Sequence, residues 1–291
     1  MTSIIDKATQ TITGIAGIAD RYDVLLCDVW GVLHDGIAAF PEAGDALARF
    51  RAQGGTVVLL TNAPRPHGVI RVLLERMNAR RDAYDAIVTS GDVTRGEIAA
   101  RAGQPVYHLG PERDLPVFEG LDAPLTTLEE AAYVVCTGLF DDDNETPADY
   151  AESLQAMAAR QLPMVCANPD LVVERGDQLL YCAGAIADAY EKISGHAIYA
   201  GKPHAPIYKR AIDIAASLRG SPPKRVLAIG DAMRTDIVGA ADAGFDSLFV
   251  ARGIHANEAL DAQGNIDDGQ LGDWLAAHPA APTMAIERLV W

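Results

Sequence analysis

The chain has 291 residues, of which 24 are basic and 40 are acidic, so its formal net charge is −16. A field of this sign repels nucleic acids and anionic membranes, because both are bound chiefly through lysine and arginine. It also disfavours anionic small molecules unless a metal ion and a few placed donors reverse the potential locally. We therefore expect neither a nucleic-acid partner nor a membrane partner.

Apolar residues make up 49% of the chain, which is ordinary for a globular protein. No stretch approaches the roughly 18 apolar residues of a membrane span, and the amino terminus lacks the basic and apolar regions of a secretory signal. The four cysteines are widely spaced without a C-x-x-C pair, so we expect reduced, buried thiols. These features predict a cytoplasmic protein.

Short apolar runs alternate with longer helical patterns along the chain. The runs predict strands at Val24–Cys27, Val57–Leu60, Ile87–Thr89, Val106–Leu109, Tyr133–Cys136, Met164–Ala167, Val226–Ile229 and Ser247–Val250. The patterns between them predict helices at Glu42–Gln53, Pro66–Ala79, Val93–Ala102, Ala148–Arg160, Ala205–Leu218 and Thr235–Ala243. This alternation indicates an α/β fold, with a doubly wound, mainly parallel, Rossmann-like core sheet covered on both faces.

The middle of the chain carries strands and helices of its own. Because this stretch begins and ends inside the sequence of the core, the core is predicted to be discontinuous. We assign residues 1–90 and 198–291 to the core and residues 91–197 to a smaller inserted α/β cap domain. An insertion of this kind is well placed to act as a lid.

Polar residues follow several of the predicted strands where each strand ends. Asp28 follows VLLC, Thr61 and Asn62 follow VVLL, and Asp231 follows VLAI and a glycine. Ligands of open parallel sheets bind beyond the carboxyl ends of the strands. The strand pattern therefore predicts a site there, although an Asp or Thr-Asn pair after a strand also serves as a simple turn or helix cap.

Four runs at these strand ends resemble the motifs of the haloacid dehalogenase superfamily. They are CDVWGVLHDG, LLTNAPR, GKPHAPIY and IGDAMRTD, in this order. The insertion, with its segments CANPD, CAGAI and YEKISGH, is similar to the C2-type cap of the class IIA branch, which contains p-nitrophenyl-phosphatase-like and nucleotidase-like proteins. The resemblance implies hydrolysis of a small phosphorylated metabolite, and it is compatible with a homodimer.

The resemblance assigns a chemical role to each motif. It implies that Asp28 is a nucleophile that forms an aspartyl-phosphate, which splits one difficult hydrolysis into two easier steps. It implies Mg²⁺ as cofactor, held by Asp28, the main-chain carbonyl of Trp30 and Asp231. Asp236 would bind the ion directly or support the site from behind.

The remaining motif residues are expected to bind substrate. The resemblance implies that Thr61 and Asn62 hydrogen-bond the phosphoryl oxygens, and that Lys202 supplies a cation where charge grows in the transition state. In the cap, Asn168 and Asp170 are candidates for lining the substrate pocket. The residues alone also allow ordinary loops at these positions.

Trp30 departs from the family pattern. Phosphatases of the family carry an aspartate there, which protonates the leaving group and later activates water, whereas tryptophan cannot titrate usefully. A missing general acid–base costs about 10²–10⁴ in rate. Three hypotheses stay open: a phosphatase that takes its proton elsewhere, with His34 and Asp35 as nearby candidates, a dehalogenase-like hydrolase, and a non-catalytic or weakly catalytic phosphate-binding protein.

Overall fold

The computed structural model describes residues 9–175 and 178–291. The described chain forms two compact units, each made from separate segments. The first unit contains residues 9–59, 75–86 and 211–291, and the second contains residues 60–74, 87–175 and 178–210. Among the described residues, no helix is long and apolar enough to cross a membrane.

Thirteen strands lie in the described part of the chain. They are β1 Gln10–Thr11, β2 Val24–Cys27, β3 Thr56–Thr61, β4 Ala86–Thr89, β5 Val106–Leu109, β6 Tyr133–Cys136, β7 Pro163–Cys166, β8 Val172–Arg175, β9 Gln178–Tyr181, β10 His196–Tyr199, β11 Val226–Gly230, β12 Asp246–Val250 and β13 Met284–Ile286. Seven of them form one sheet in the order β1-β13-β12-β11-β2-β3-β4. The predicted α/β class with a mainly parallel sheet is confirmed.

The middle of this sheet positions two of the candidate residues, Asp28 and Asp231, which follow β2 and β11. Strand β2 pairs in parallel with β11 on one side and with β3 on the other. All four residues of β2 and all five of β11 are buried. A continuous apolar strand is what a sheet covered on both faces requires, since neither face meets water.

The helices of the described residues pack around the sheets. They are α1 Pro41–Ala52, α2 His67–Arg76, α3 Ser90–Ala99, α4 Ala151–Ala159, α5 Ala183–Lys192, α6 Ala205–Arg219, α7 Val238–Asp242, α8 Ala256–Ala259 and α9 Asp268–Leu275. The start of α3 is three residues earlier than predicted, because the Thr89 hydroxyl and the Asp92 carboxylate form a reciprocal capping box. The predicted helix at Thr235–Ala243 is divided into a π-helical turn, Met233–Ile237, and α7.

The second unit has a sheet of its own. Its four strands run in the order β10-β7-β6-β5, and every neighbouring pair is parallel. Strands β8 and β9 form a separate antiparallel pair. A core of buried side chains, including Met157 and Tyr190, lies under α4 and α5. The sequence patterns did not predict β10 or α5, because β10 is half-exposed and α5 is rich in small residues.

The compact units and the predicted domains divide the chain differently. Residues 60–74, 87–90 and 198–210 were assigned to the core by sequence, whereas they pack as part of the second unit. The boundaries between the catalytic core and the cap, which we place at 90/91 and 197/198, remain a prediction. All four cysteines are buried and none of them forms a disulfide, as expected.

Candidate functional site

The first group of candidate residues lies at the carboxyl ends of β2 and β11. The main-chain N–H of Asp28 donates to the carbonyl of Ile229 at 2.8 Å, which carries the β2–β11 pairing one residue beyond the strand. Asp231 directly follows β11. The two carboxylates therefore emerge side by side from adjacent parallel strands, as the sequence pattern predicted.

Asp236 joins these two residues in a cluster of three buried carboxylates. One oxygen each of Asp28, Asp231 and Asp236 can be chosen such that all lie within 4.8 Å of one another. Their exposed fractions are only 7%, 5% and 5%. Like charges this close and this buried repel one another strongly unless protons or a cation neutralise them. The cluster is thus able to hold a hard cation, which prefers oxygen ligands.

Three glycines make room for the carboxylates. A Cβ atom on Gly31 or on Gly253 would overlap the Asp231 carboxylate, and one on Gly230 would overlap that of Asp236. Gly31 also has a φ of +81°, which a side chain rarely permits. Sequence analysis singled out Asp231 and Asp236 but missed Gly31 and Gly253, whose role is visible only once the loops meet.

Main-chain donors fix the orientation of two carboxylates. The N–H of Ile254 donates to Asp231 Oδ2 at 2.8 Å, and the N–H of Ala232 donates to Asp236 Oδ2 at 3.2 Å. Asp236 lies in the π-helical turn Met233–Ile237. Such single π turns are often found at functional sites.

The side chain of Trp30 packs on the loop that follows Asp28. Its ring lies against Gly36, where a Cβ atom would come within 3.1 Å of Cη2, and Gly36 has a φ of +86°. The ring meets that of His34 edge to face, with centroids 5.2 Å apart. Trp30 therefore has a packing role of its own.

His34 and Asp35 were candidates for the missing acid, but their side chains form the turn before Gly36. The N–H of Gly36 donates to His34 Nδ1 at 2.9 Å, and Asp35 Oδ1 accepts from the N–H groups of Ile37 and Ala38, each at 2.8 Å. Burial lowers the pKa of His34 to about 4, so its ring is neutral at pH 7. In the structure these two side chains thus stabilise the turn before Gly36.

The second group of candidate residues lies within the second unit. Thr61 ends β3, and its hydroxyl accepts a hydrogen bond from the N–H of Ala63 at 3.3 Å. Asn62 binds the main chain of Lys202: its Oδ1 accepts from the Lys202 N–H at 2.7 Å, and its Nδ2 donates to the Lys202 carbonyl at 3.2 Å. These two hydrogen bonds hold the Lys202 backbone in place, and Lys202 is only 3% exposed.

Two candidates of the CANPD segment lie in the same unit, with different contacts. Asp170 Oδ1 accepts a hydrogen bond from Asn62 Nδ2 at 3.0 Å, so it belongs to the Asn62–Lys202 group. Asn168 Oδ1 accepts from the N–H of Asp170 at 3.1 Å, which shapes the turn. The structure brings Asn62, Asp170 and Lys202 into contact, while Asn168 supports them through the backbone.

Comparisons with known proteins point to one family. Residues 25–123 match the model of the haloacid dehalogenase-like hydrolases, and residues 199–276 match a second, HAD-hydrolase-like model. Haloacid dehalogenase-like hydrolase domain-containing protein 2 of Rattus norvegicus is 30% identical over 241 residues, which cover 79% of this chain and 84% of that protein. The chain belongs to the haloacid dehalogenase-like hydrolase family.

Two further relatives of this hydrolase are similar over most of its length. The structure of a haloacid dehalogenase-like family hydrolase from Brucella suis 1330 has a TM-score of 0.86 and 43% identity, covering 96% of this chain and 100% of that one. The protein named ribonucleotide monophosphatase NagD, from Escherichia coli strain K12, is 28% identical over 242 residues, covering 82% of this chain and 91% of that protein.

Proposed function

We propose that this hydrolase is a magnesium-dependent phosphatase that acts on a small phosphorylated metabolite through an aspartyl-phosphate on Asp28. The observation that carries the proposal is the cluster of three buried carboxylates, Asp28, Asp231 and Asp236, with one oxygen of each within 4.8 Å of the others. Family membership supports it, and the relative from Escherichia coli is named a monophosphatase.

The residues of the cluster fit Mg²⁺. The ion prefers carboxylate and carbonyl oxygens and usually retains several waters, so one or two carboxylates suffice as ligands. Asp28, Asp231 and the main-chain carbonyl of Trp30 would hold it, with Asp236 as a further ligand or as a support. When bound, Mg²⁺ neutralises the charge of the phosphoryl group and of the surrounding carboxylates.

The proposed reaction has two steps, both centred on Asp28. In the first, a carboxylate oxygen attacks phosphorus, the ester P–O bond breaks, and the leaving oxygen departs with the electron pair. In the second, water adds to the phosphorus of the aspartyl-phosphate, releasing inorganic phosphate and restoring Asp28. We propose that Thr61 and Lys202 bind the phosphoryl oxygens, and that Asn62 positions Lys202 through the two main-chain hydrogen bonds.

The absence of an acid at Trp30 shapes this mechanism. Tryptophan donates no proton at neutral pH, and the side chains of His34 and Asp35 are engaged in a turn. We propose that the leaving oxygen departs largely unprotonated, which good leaving groups tolerate and alkoxides do not. We expect turnover to depend steeply on the pKa of the leaving group.

A comparison of two esters tests this function. Purified protein with Mg²⁺ is assayed on p-nitrophenyl phosphate and on an alkyl phosphate, with Asp28→Asn as the inactive control. The proposal expects p-nitrophenyl phosphate to be hydrolysed faster by at least about 10²-fold, the smaller loss typical of a missing general acid. Equal rates would contradict the role given to Trp30, and residual activity of Asp28→Asn would remove Asp28 as the nucleophile.

The tryptophan at position 30 also favours a second function. Because Trp30 replaces the acid while the carboxylate cluster is intact, the site is also suited to binding a phosphorylated ligand with little or no turnover. Isothermal calorimetry with a panel of phosphorylated metabolites would identify this function by Mg²⁺-dependent binding without product after hours. Rapid phosphate release from any member of the panel would exclude it.

A further inference from the structure

Arg65 lies next to the Asn62–Lys202 group in the second unit. Gly91 of α3 contacts Arg65, and Ser90, the residue before it, contacts the Asn62–Lys202 group. A Cβ atom on Gly91 would overlap the main chain of Arg65, and the Gly91 N–H donates to the Ala63 carbonyl at 3.0 Å. Ser90 lies close to the Asn62–Lys202 group, because a Cβ atom on Gly201, the neighbour of Lys202, would come within 2.8 Å of Ser90 Oγ.

Ser90 and Gly91 are consecutive, so their Cα atoms are about 3.8 Å apart. Arg65 and the Lys202 backbone therefore flank one short stretch of chain. The main chains of Arg65 and Lys202 are therefore neighbours within the second unit.

Arg65 is held by a buried carboxylate. Its Nε lies 3.0 Å from Asp114 Oδ1, with 26% of the Arg65 side chain exposed and 3% of the Asp114 side chain. Burial raises the pKa of Asp114, and the Arg65 charge opposes that rise. Across the described residues, neither of these two atoms has an aligned hydrogen-bond partner. At these two atoms the pair is therefore joined by charge.

The segment that carries Asp114 is fixed in place. Asp114 lies in the short 3₁₀ helix Glu112–Val117 that follows β5. Arg95 of α3 donates to the carbonyls of Pro116 and Val117, at 3.3 and 3.0 Å. Arg65 is thereby kept near the carboxyl end of β5, the edge where parallel sheets bind ligands.

We propose that Arg65 recognises a second anionic group on the substrate, namely a carboxylate on the organic part of the phosphate ester. A guanidinium offers five donors in a planar fork that matches a carboxylate, and the Arg65 side chain is 26% exposed. In a chain with a net charge of −16, a cation beside the site also reduces the repulsion of a substrate that carries both a phosphate and a carboxylate. The inference rests on the proposed function, because it places the phosphoryl group at Lys202.

The test uses two esters that differ in this group alone. 3-Phosphoglycerate carries a carboxylate where glycerol 3-phosphate carries a hydroxymethyl group. We expect the wild-type protein to prefer 3-phosphoglycerate in kcat/KM, and Arg65→Gln to lower that preference by about tenfold to hundredfold, the range for hydrogen bonds to charged groups. Arg65→Lys keeps the charge and should retain part of the preference.

Arg101→Gln is the matched control, because Arg101 is also a partly exposed arginine of the second unit in a salt bridge, but its partner is Glu97, four positions earlier. It should leave the preference unchanged. A loss of activity on both esters alike in Arg65→Gln, an equal shift in Arg101→Gln, or a wild-type protein without the preference would each overturn the inference. A preference for fructose 1,6-bisphosphate over fructose 6-phosphate, without one for 3-phosphoglycerate, would overturn the choice of a carboxylate.

Binding separates this inference from the proposed function. The affinities of both esters are measured by calorimetry with Mg²⁺, using the wild-type protein and Arg65→Gln. If neither ester is hydrolysed but the Arg65-dependent preference is seen in affinity, the phosphatase function fails and the inference stands. If both are hydrolysed and Arg65→Gln leaves the ratios of kcat/KM and of affinity unchanged, the inference fails and the phosphatase function stands.

Discussion

The side-chain amide of Asn62 pairs with the main chain of Lys202, 140 positions later, through one accepted and one donated hydrogen bond of 2.7 and 3.2 Å. The pairing is buried, since the two residues are 2% and 3% exposed. It imitates the exchange of hydrogen bonds between neighbouring strands, and it holds the lysine without using the lysine side chain. The pairing fixes the Lys202 backbone, and binding of phosphate is the role we propose for this residue.

Replacement of Asn62 should therefore act through Lys202. We expect Asn62→Ala to lower kcat/KM on p-nitrophenyl phosphate by about 10²-fold, the cost of displacing a positioned group by about 1 Å. The double variant with Lys202→Met should be little worse than Lys202→Met alone, because both remove one function. Asn144→Ala, an exposed amide in the second unit, is the control and should keep full activity. Additive losses in the double variant would mean that Asn62 acts independently of Lys202.

Neutralising one member of the carboxylate cluster should stabilise the metal-free protein. Asp236→Asn removes one of three buried like charges, so the melting temperature without metal should rise, by about 2–4 °C for each kcal/mol of relief. The same change should diminish the further rise that Mg²⁺ produces in the wild-type protein. Asp242→Asn, at an exposed position of α7, should change neither. Thermal unfolding with and without Mg²⁺ checks both effects, and a metal-free Asp236→Asn protein that melts lower would contradict the prediction.

A methyl group added at Gly253 should disrupt the same cluster of carboxylates. Gly253→Ala would overlap the Asp231 carboxylate, so the side chain must turn away from its hydrogen bond with the Ile254 N–H. We expect Mg²⁺ affinity, measured by calorimetry, to fall at least about tenfold, as it does when groups that orient metal ligands are lost. Gly272→Ala, a helical glycine of α9 with open space around it, serves as the control and should leave Mg²⁺ affinity intact. Wild-type affinity in Gly253→Ala would show that Asp231 can bind from another orientation.

Restoring an acid at position 30 should improve turnover at a cost in stability. Trp30→Asp is expected to raise alkyl-phosphatase activity, by up to about 10²–10⁴-fold if the carboxyl reaches the leaving oxygen. The variant also loses the ring that packs on Gly36 and His34, so its free energy of unfolding should decrease. Trp30→Phe keeps an aromatic ring without an acid and should resemble the wild-type protein in activity. If both variants gain activity equally, relief of crowding and not acid catalysis is the cause.

Acid should destabilise the second unit through His108. Burial lowers its pKa to about 4, from 6.5 in an unfolded chain. Between these values the unfolded state binds more protons, so the stabilising contribution of the neutral ring is complete above about pH 6.5 and is lost as the pH falls towards 4. His108→Gln retains a donor for the Thr137 hydroxyl and should flatten the pH dependence of unfolding free energy in this range, by at most about 1.4 kcal/mol per pH unit. Chemical denaturation at several pH values would detect this, and an unchanged slope would contradict it.

The α/β class and the positions of the candidate ligands could be predicted from the sequence. Strand β2 was predicted with its observed limits, because a strand buried on both faces is an unbroken apolar run. Asp28 and Asp231 were predicted to meet, because the carboxyl ends of parallel strands share one edge of the sheet. Both inferences depend on the pattern of apolar residues and on the order of the strands along the chain, and a sequence alone contains both.

Other features depend on which distant residues come into contact, and only the tertiary structure decided them. The amide of Asn62 binds the Lys202 backbone, the absence of a side chain at Gly253 leaves room for the Asp231 carboxylate, and Arg65 pairs with Asp114. Hydrogen bonds and steric clearance act over a few ångströms, between residues that no periodicity brings together. Sequence thus determined that Asp28 lies in a cluster of carboxylates beside Trp30, and folding determined that the turn before Gly36 uses the nearby groups that could have replaced the missing acid.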